Sequence, residues 1–150
     1  MVIYLGSDHR GFKLKNHLIS FLNDKGYEVA DMGNTEFDEN DDYPDFASKV
    51  ANKVLRDYDN AKGIVICGSG VGVSVVANKF DGIRSALVNS SDQAYDSRND
   101  DNTNVLALAS DYVNETDAEK IVMTWVETPF SAEERHRRRL LKIQEIERGN

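Results

Sequence analysis

A chain of 150 residues, 40% apolar and 29% charged, is the size of one ordinary domain and too rich in core-forming side chains for a disordered class. Its 18 basic and 26 acidic residues leave a net charge of −8, which works against nonspecific nucleic-acid or anionic-membrane binding, and no apolar run approaches the roughly 20 residues that span a bilayer. One cysteine excludes an internal disulfide, and Met1 leads into a short apolar stretch without the basic region and long apolar core of a signal peptide, so the expected setting is the cytoplasm.

In chain order, Val2 to Gly6 is an apolar run ended by Gly6-Ser7-Asp8, and Phe12, Leu14, Leu18, Ile19 and Leu22 follow at helical spacing up to Gly26. Tyr27 to Ala30 is the second predicted strand. Residues 31–48 carry seven acids and no Lys or Arg, which predicts a solvated loop; a helix introduced by Pro44 then places Ala47, Val50, Ala51, Val54 and Leu55 on one face. Gly63 to Cys67 is a buried-strand candidate, Gly70 to Asn78 a helix of small residues, Ile83 to Val88 a fourth strand, Ser91 to Arg98 a polar helix and Val105 to Ala109 a fifth strand. Thr116 to Glu127 and Ala132 to Arg148 complete the helices, with Trp125 and Phe130 expected in the core or at a subunit contact.

Five short apolar runs separated by helices predict a parallel sheet covered on both faces, because parallel strands need crossover connections. The fold class is therefore α/β, a three-layer Rossmann-like sandwich forming a single domain over residues 1–150. Ligands of such sheets bind beyond the carboxyl ends of the strands. Here those ends are Asp8-His9, Cys67-Gly68, Asn89-Ser90 and Ser110-Asp111.

The strongest local signal is Ile66-Cys67-Gly68-Ser69-Gly70-Val71-Gly72, three glycines at alternate positions between an apolar strand and a helix. Such a turn can aim several backbone N–H groups at an anion, and a thiol beside it is favoured as thiolate, a usable base or nucleophile. A buried cysteine followed by glycines that permit close packing fits the same residues. Two nucleotide motifs fail on spacing. The glycines read G-x-G-x-G after the third strand instead of G-x-G-x-x-G after the first, and Gly6 to Lys13 displaces the lysine of a phosphate loop while putting Asp8 in its cradle. Asp8-His9 pairs a carboxylate with an imidazole, suited to sugar hydroxyls and proton movement, although Asp8 can equally cap the next helix. Three histidines and one cysteine without ligand spacing predict no metal. In Arg135-His136-Arg137-Arg138-Arg139, helical spacing puts Arg135, Arg138 and Arg139 on one face, either as a phosphate clamp or as partners of Glu133, Glu134 and Glu145.

Taken together, Gly6-Ser7-Asp8-His9-Arg10-Gly11-Phe12, Asp42-Tyr43-Pro44, the Ile66–Gly72 run, Ala77-Asn78-Lys79, Gly82-Ile83-Arg84, Asn102-Thr103-Asn104-Val105-Leu106-Ala107 and Arg135-His136 resemble the ribose-5-phosphate isomerase B family nearly end to end. The resemblance implies a five-stranded parallel α/β/α fold, metal-free and cofactor-free interconversion of aldose and ketose phosphates, and active sites at the interface of a homodimer or dimer of dimers. It implies Cys67 as the base between C1 and C2, Ser69 as the neighbouring hydroxyl, and the amides of Gly68, Gly70, Val71 and Gly72 as stabilisers of an enediolate. Asp8, His9, Tyr43, Asn104, Arg135, His136 and Arg139 become substrate-binding residues. The small-molecule partner is a sugar phosphate, with ribose 5-phosphate the leading substrate. Allose 6-phosphate and galactose 6-phosphate are the alternatives, as is a noncatalytic sugar-phosphate-binding subunit.

Three departures stand out. Asp100 occupies the place of a histidine thought to open the sugar ring in a segment like S-R-x-H-N, and is expected either to lie in the pocket, doing acid–base work in ring opening or reading a substrate hydroxyl, or to be a solvated loop acid. Asp111 replaces an arginine that often follows the fifth strand and helps bind phosphate, and Glu133-Glu134 replaces a glycine pair.

Overall fold

The computed structural model describes Met1–Asn150. Five strands, β1 (Val2–Ser7), β2 (Glu28–Asp31), β3 (Ala61–Cys67), β4 (Ser85–Leu87) and β5 (Val105–Ala109), form one all-parallel sheet in the order β2-β1-β3-β5-β4. Helices α1 (Phe12–Asp24), α4 (Ser91–Asn99) and α5 (Glu115–Glu127) cover one face and α2 (Tyr43–Arg56) and α3 (Val71–Ala77) the other, while α6 (Glu134–Gly149) ends the chain. The three-layer expectation therefore holds.

Each face has its own core. On the first, Leu14, Leu18 and Leu22 of α1 and Ile121, Val122 and Trp125 of α5 pack on Ile3, Leu5, Ile64, Ile66, Leu106 and Leu108. On the second, Ala47, Val50, Ala51 and Val54 of α2 and Val73 and Ala77 of α3 meet Val65, Cys67, Val105 and Ala107. Central strand β5 and residues Gly63–Cys67 of β3 are apolar throughout because both their faces are covered, whereas edge strand β2 is half-exposed and only four residues long. Pro44 in the first turn and the Asp45 and Lys53/Arg56 charges at opposite ends suit α2 to its dipole; Ser90 and Asn114 cap α4 and α5 through the N–H groups of Gln93 and Asp117.

Most boundaries shift by a residue or so from the sequence reading, and three of the shifts have a plain cause. Strand β3 begins two residues earlier, since Ala61 and Lys62 pair with Val2 and Ile3. Strand β4 is shorter, because the Arg84 N–H donates to the Asn104 side chain instead of a neighbouring strand. Helix α6 starts at Glu134 because Ala132 lies at φ 55°, outside the right-handed helical region.

At the amino ends of the strands, Lys62, Arg84 and Arg98 crowd together beside Trp125, the Lys62 Nζ lying 5.6 Å from the ring centroid. The two guanidiniums are held by neutral groups: Arg98 donates to the Asn102 side chain and the Thr103 and Thr128 carbonyls, and Arg84 to the Asn102 carbonyl and the Tyr58 hydroxyl. Burial, together with the nearby Arg98 charge, lowers the Lys62 ammonium to about 8. With the native value below the unfolded one, the unfolded chain binds more protons between about pH 8 and 10.5, so this group's penalty is full below pH 8 and relieved as pH rises through that window. Lys62→Met should raise Tm at pH 7 by about 2–4 °C, a gain on the order of 1 kcal/mol, and the gain should shrink toward pH 10 in thermal melts. Equal melting of both proteins at pH 7 would show that the ammonium costs nothing.

Candidate active site

Strand order reverses between β1 and β3, since the crossover from β1 leads to one side and that from β3 to the other; the crevice at this reversal is where doubly wound sheets bind ligands. Ser7 pairs with Ile66 at the last step of the ladder. The next residues, Asp8 and Cys67, therefore leave the sheet side by side, and the loop after β5 joins them: the Ser110 N–H donates to the Cys67 carbonyl and the Asp111 N–H to the Gly68 carbonyl.

Cys67 is buried on the α3 face of β3, and the Gly70 N–H donates to its Sγ at 3.2 Å. Gly70 makes that turn with φ 72°, and a Cβ there would come within 2.4 Å of Leu87 and 3.0 Å of the Leu108 carbonyl carbon, so glycine is required for both shape and space. The Val71 N–H donates to Ser69 Oγ at 3.3 Å. The N–H groups of Gly68, Ser69 and Gly72 donate to nothing in the chain, a set of free donors around the thiol. Over Gly72 lies the Tyr43 ring, which a side chain at that position would strike.

Asp8 does two things at once. Its Oδ1 accepts the N–H groups of Arg10 and Gly11 in the turn that leads into α1, while Oδ2 makes no protein hydrogen bond. His9 is held twice by Asp41: Oδ1 accepts its backbone N–H and bonds its Nδ1, both at 2.8 Å, leaving Nε2 free. Asp41 in turn accepts from Asn34 Nδ2, and the Asn34 carbonyl and Asp31 carboxylate are held by Nζ of the fully buried Lys15. Residues 31–48 are thus not simply solvated: the Asp41 side chain is 4% exposed and structural. The Asp41 hydrogen bond raises His9 above its ordinary range; desolvation pushes Asp41 upward, but the bonds from His9 and Asn34 outweigh it and hold the carboxyl low. Asp41, and Arg10 whose guanidinium lies against Gly68, are site residues that sequence reasoning missed; an acid run and an unpaired arginine give no spacing signal.

The remaining expected residues lie elsewhere. Helix α4 runs back from the carboxyl end of β4, so Asp100 caps it at the amino ends of the strands, about 17 Å from the Cys67 level at some 3.3 Å per residue along β5. There the buried His136 has Nδ1 2.7 Å from Ser131 Oγ and Nε2 3.6 Å from the Asp100 carboxylate. Arg135 pairs with Glu133 and Arg138 with Glu134, as the solvated-helix reading of this face expects, while the exposed Arg139 has no protein partner. Asn104 is buried with its amide engaged by the Arg84 N–H and the Gly82 carbonyl, a structural use. Within one chain Asp8, His9, Tyr43, Cys67 and Ser69 therefore lie at one end of the sheet, and Asp100, Arg135, His136 and Arg139 at the other.

A strand-end crevice with a thiol, free amides and an acid–imidazole pair defines an α/β protein built to handle a small oxygen-rich ligand. The Ribose/Galactose Isomerase family model matches residues 3–143, and the chain belongs to that family. It is 44% identical over 146 residues to a probable ribose-5-phosphate isomerase B of Mycoplasma genitalium, covering 97% of this chain and 95% of that one. It is 41% identical over 145 residues to ribose-5-phosphate isomerase B of Escherichia coli, with 97% and 95% covered. The M. genitalium crystal structure with bound ribulose-5-phosphate superposes with a TM-score of 0.95, covering 99% of this chain and 97% of that one, and the Clostridium thermocellum isomerase B structure, 45% identical, with 0.94 over 99% of each.

NMR titration of the His9 ring should give an inflection above 6.5, moving down in Asp41→Asn as the carboxylate that favours imidazolium is removed. The stability that the pair adds through His9 is full below pH 6.5 and fades as pH rises through the raised native value. An unshifted inflection in the variant would detach Asp41 from His9.

Proposed function

We infer that the chain is an aldose–ketose sugar-phosphate isomerase acting on ribose 5-phosphate and ribulose 5-phosphate. The observation that carries this is the Cys67 thiol at the strand-order reversal of a family isomerase, ringed by free N–H donors and flanked by Asp8, His9 and Tyr43. We assign Cys67 as the base. Its thiolate takes the proton from C2 of the open-chain aldose, the C–H electrons form the C1–C2 double bond, and the carbonyl electrons pass to O1 as an enediolate. Returning that proton to C1, with the O2–H electrons forming the C2 carbonyl and the O2 proton passed on to O1 through solvent or a neighbouring group, gives the ketose. The amides of Gly68, Ser69 and Gly72 are suited to the developing oxygen charge, and Asp8 Oδ2, the His9 ring and the Tyr43 hydroxyl to the sugar hydroxyls.

The division of residues between the two ends of the sheet supports a homodimer in which the α4 end and α6 of one copy complete the Cys67 half-site of the other. Apolar surface suits that arrangement: Val71 and Val75 are exposed on α3, and Leu141 and Ile146 on α6. A lone cysteine used as a thiol fits a reducing cytoplasm.

Cys67→Ser should lower kcat about 10²- to 10⁴-fold while substrate binding persists, because serine ionises far less readily; retention of more than about a tenth would assign the base elsewhere. Mixing Cys67→Ser protein with Arg139→Ala protein, after exchange of subunits, should restore up to about a quarter of normal activity, since half the dimers are mixed and each has one intact site. No recovery in a mixture shown to have exchanged would place both residues in one chain's site.

A further inference from the structure

We propose that Arg10 is a cation that this chain's own Cys67 half-site contributes to the phosphate of the sugar phosphate, with Asp111 as the carboxylate that positions it. The inference rests on the isomerase reading and names a residue to which neither the sequence motifs nor the resemblance assigns a role. Arg10 leaves a rigid point: its N–H donates to Asp8 Oδ1 and its carbonyl accepts from Ser110 Oγ. The guanidinium then lies flat on Gly68, so that a Cβ there would fall 2.3 Å from Cζ, 2.4 Å from Nε and 2.7 Å from Nη1. It is therefore at the first residue of the turn that follows the thiol. Nη2 is paired with Asp111 Oδ2, while Nε and Nη1 have no acceptor in the chain.

Charge points the same way. Asp8, Asp41 and Asp111 surround this half-site, and a phosphate dianion placed among three carboxylates needs a permanent cation. Lys15 is consumed by Asp31 and the Asn34 carbonyl, and Lys13 is directed to Glu115. Arg10 alone offers free, forked donors, the geometry that suits phosphate. The resemblance implies an arginine at position 111; here that position is a carboxylate, and the guanidinium paired with it comes from position 10.

Steady-state kinetics on ribose 5-phosphate, with calorimetry of inorganic phosphate as a readout that needs no isomerisation, tests this. Arg10→Ala should raise KM roughly 10- to 100-fold with a much smaller fall in kcat, and should weaken inorganic phosphate comparably. The swapped variant Arg10→Ala/Asp111→Arg should recover most of the lost affinity, which a merely structural arginine would not allow. A KM and phosphate affinity within about threefold of the parent, or a loss the swap leaves intact, would overturn the assignment. If the parent protein turns over ribose 5-phosphate and Arg10→Ala leaves KM in place, Arg10 alone is misassigned. If the parent turns over no aldose phosphate, the isomerase reading fails, and phosphate calorimetry on the two proteins still decides whether Arg10 holds the anion.

Discussion

The alignment of β1 with β3 is the constraint on which the rest depends. Their parallel register ends at Ser7 opposite Ile66, and because both chains leave the sheet at the same level, an Asp-His dipeptide and a cysteine 58 positions apart in sequence become neighbours. Parallel strands achieve this only with covered crossovers, so the alternating pattern of helices is a condition of the site and not a separate feature of the fold. Close approach then does the fine placement. Gly11 lets the start of α1 sit against the Ile66 carbonyl, where a Cβ would come within 2.8 Å, and Gly68 and Gly72 admit Arg10 and Tyr43 over the turn. A side chain at any of the three would push a site element away.

From that alignment the polar order of the half-site follows as a chain of hydrogen bonds running outward from the core. Lys15 is fully buried, and a buried ammonium requires partners; it finds them in Asp31 at the end of β2 and in the Asn34 carbonyl. This fixes the loop after β2, which brings Asn34 to Asp41 and Asp41 to His9. The imidazole is thus oriented, through Asn34 and Asp41, by one core lysine on the neighbouring helix. An Asp41 left without His9 would be a shielded carboxylate with one weak partner, so the two residues stabilise each other's charged forms.

Much of this was legible in the chain itself. The five strands, their cover and the strand-end location of Asp8-His9 and Cys67 follow from apolar runs broken by Gly and Asp, because two-sided burial leaves a plain signature. What escaped was long-range pairing. Asp41 reads as one more acid in an acid-rich stretch, and its role exists only through His9, 32 positions away. Arg10 and Asp111 lie 101 positions apart, so no spacing relates them. The position of Asp100 within the chain is illegible for a different reason: an antiparallel return through α4 sends residue 100 to the far end of the sheet, and periodicity alone carries no record of which end a helix terminus reaches.

Separation of the two half-sites has an electrostatic side that bears on how the proposed dimer forms. The Cys67 end gathers Asp8, Asp41 and Asp111 against Arg10 and His9, whereas the first turns of α6 expose Arg135, Arg137, Arg138 and Arg139 with Glu133 and Glu134. In a chain of net charge −8 two copies repel overall, and association needs a local complement. An isologous contact that sets each arginine-rich helix start against the acid-rich strand end of its partner supplies that complement twice. Substrate adds a third charge at the same place. In the proposed dimer its phosphate would meet Arg10 from one side and the partner's α6 arginines from the other, and so tighten the contact that completes the site. Ligand binding and subunit association then become linked equilibria, in which the free energy that one supplies appears as affinity in the other.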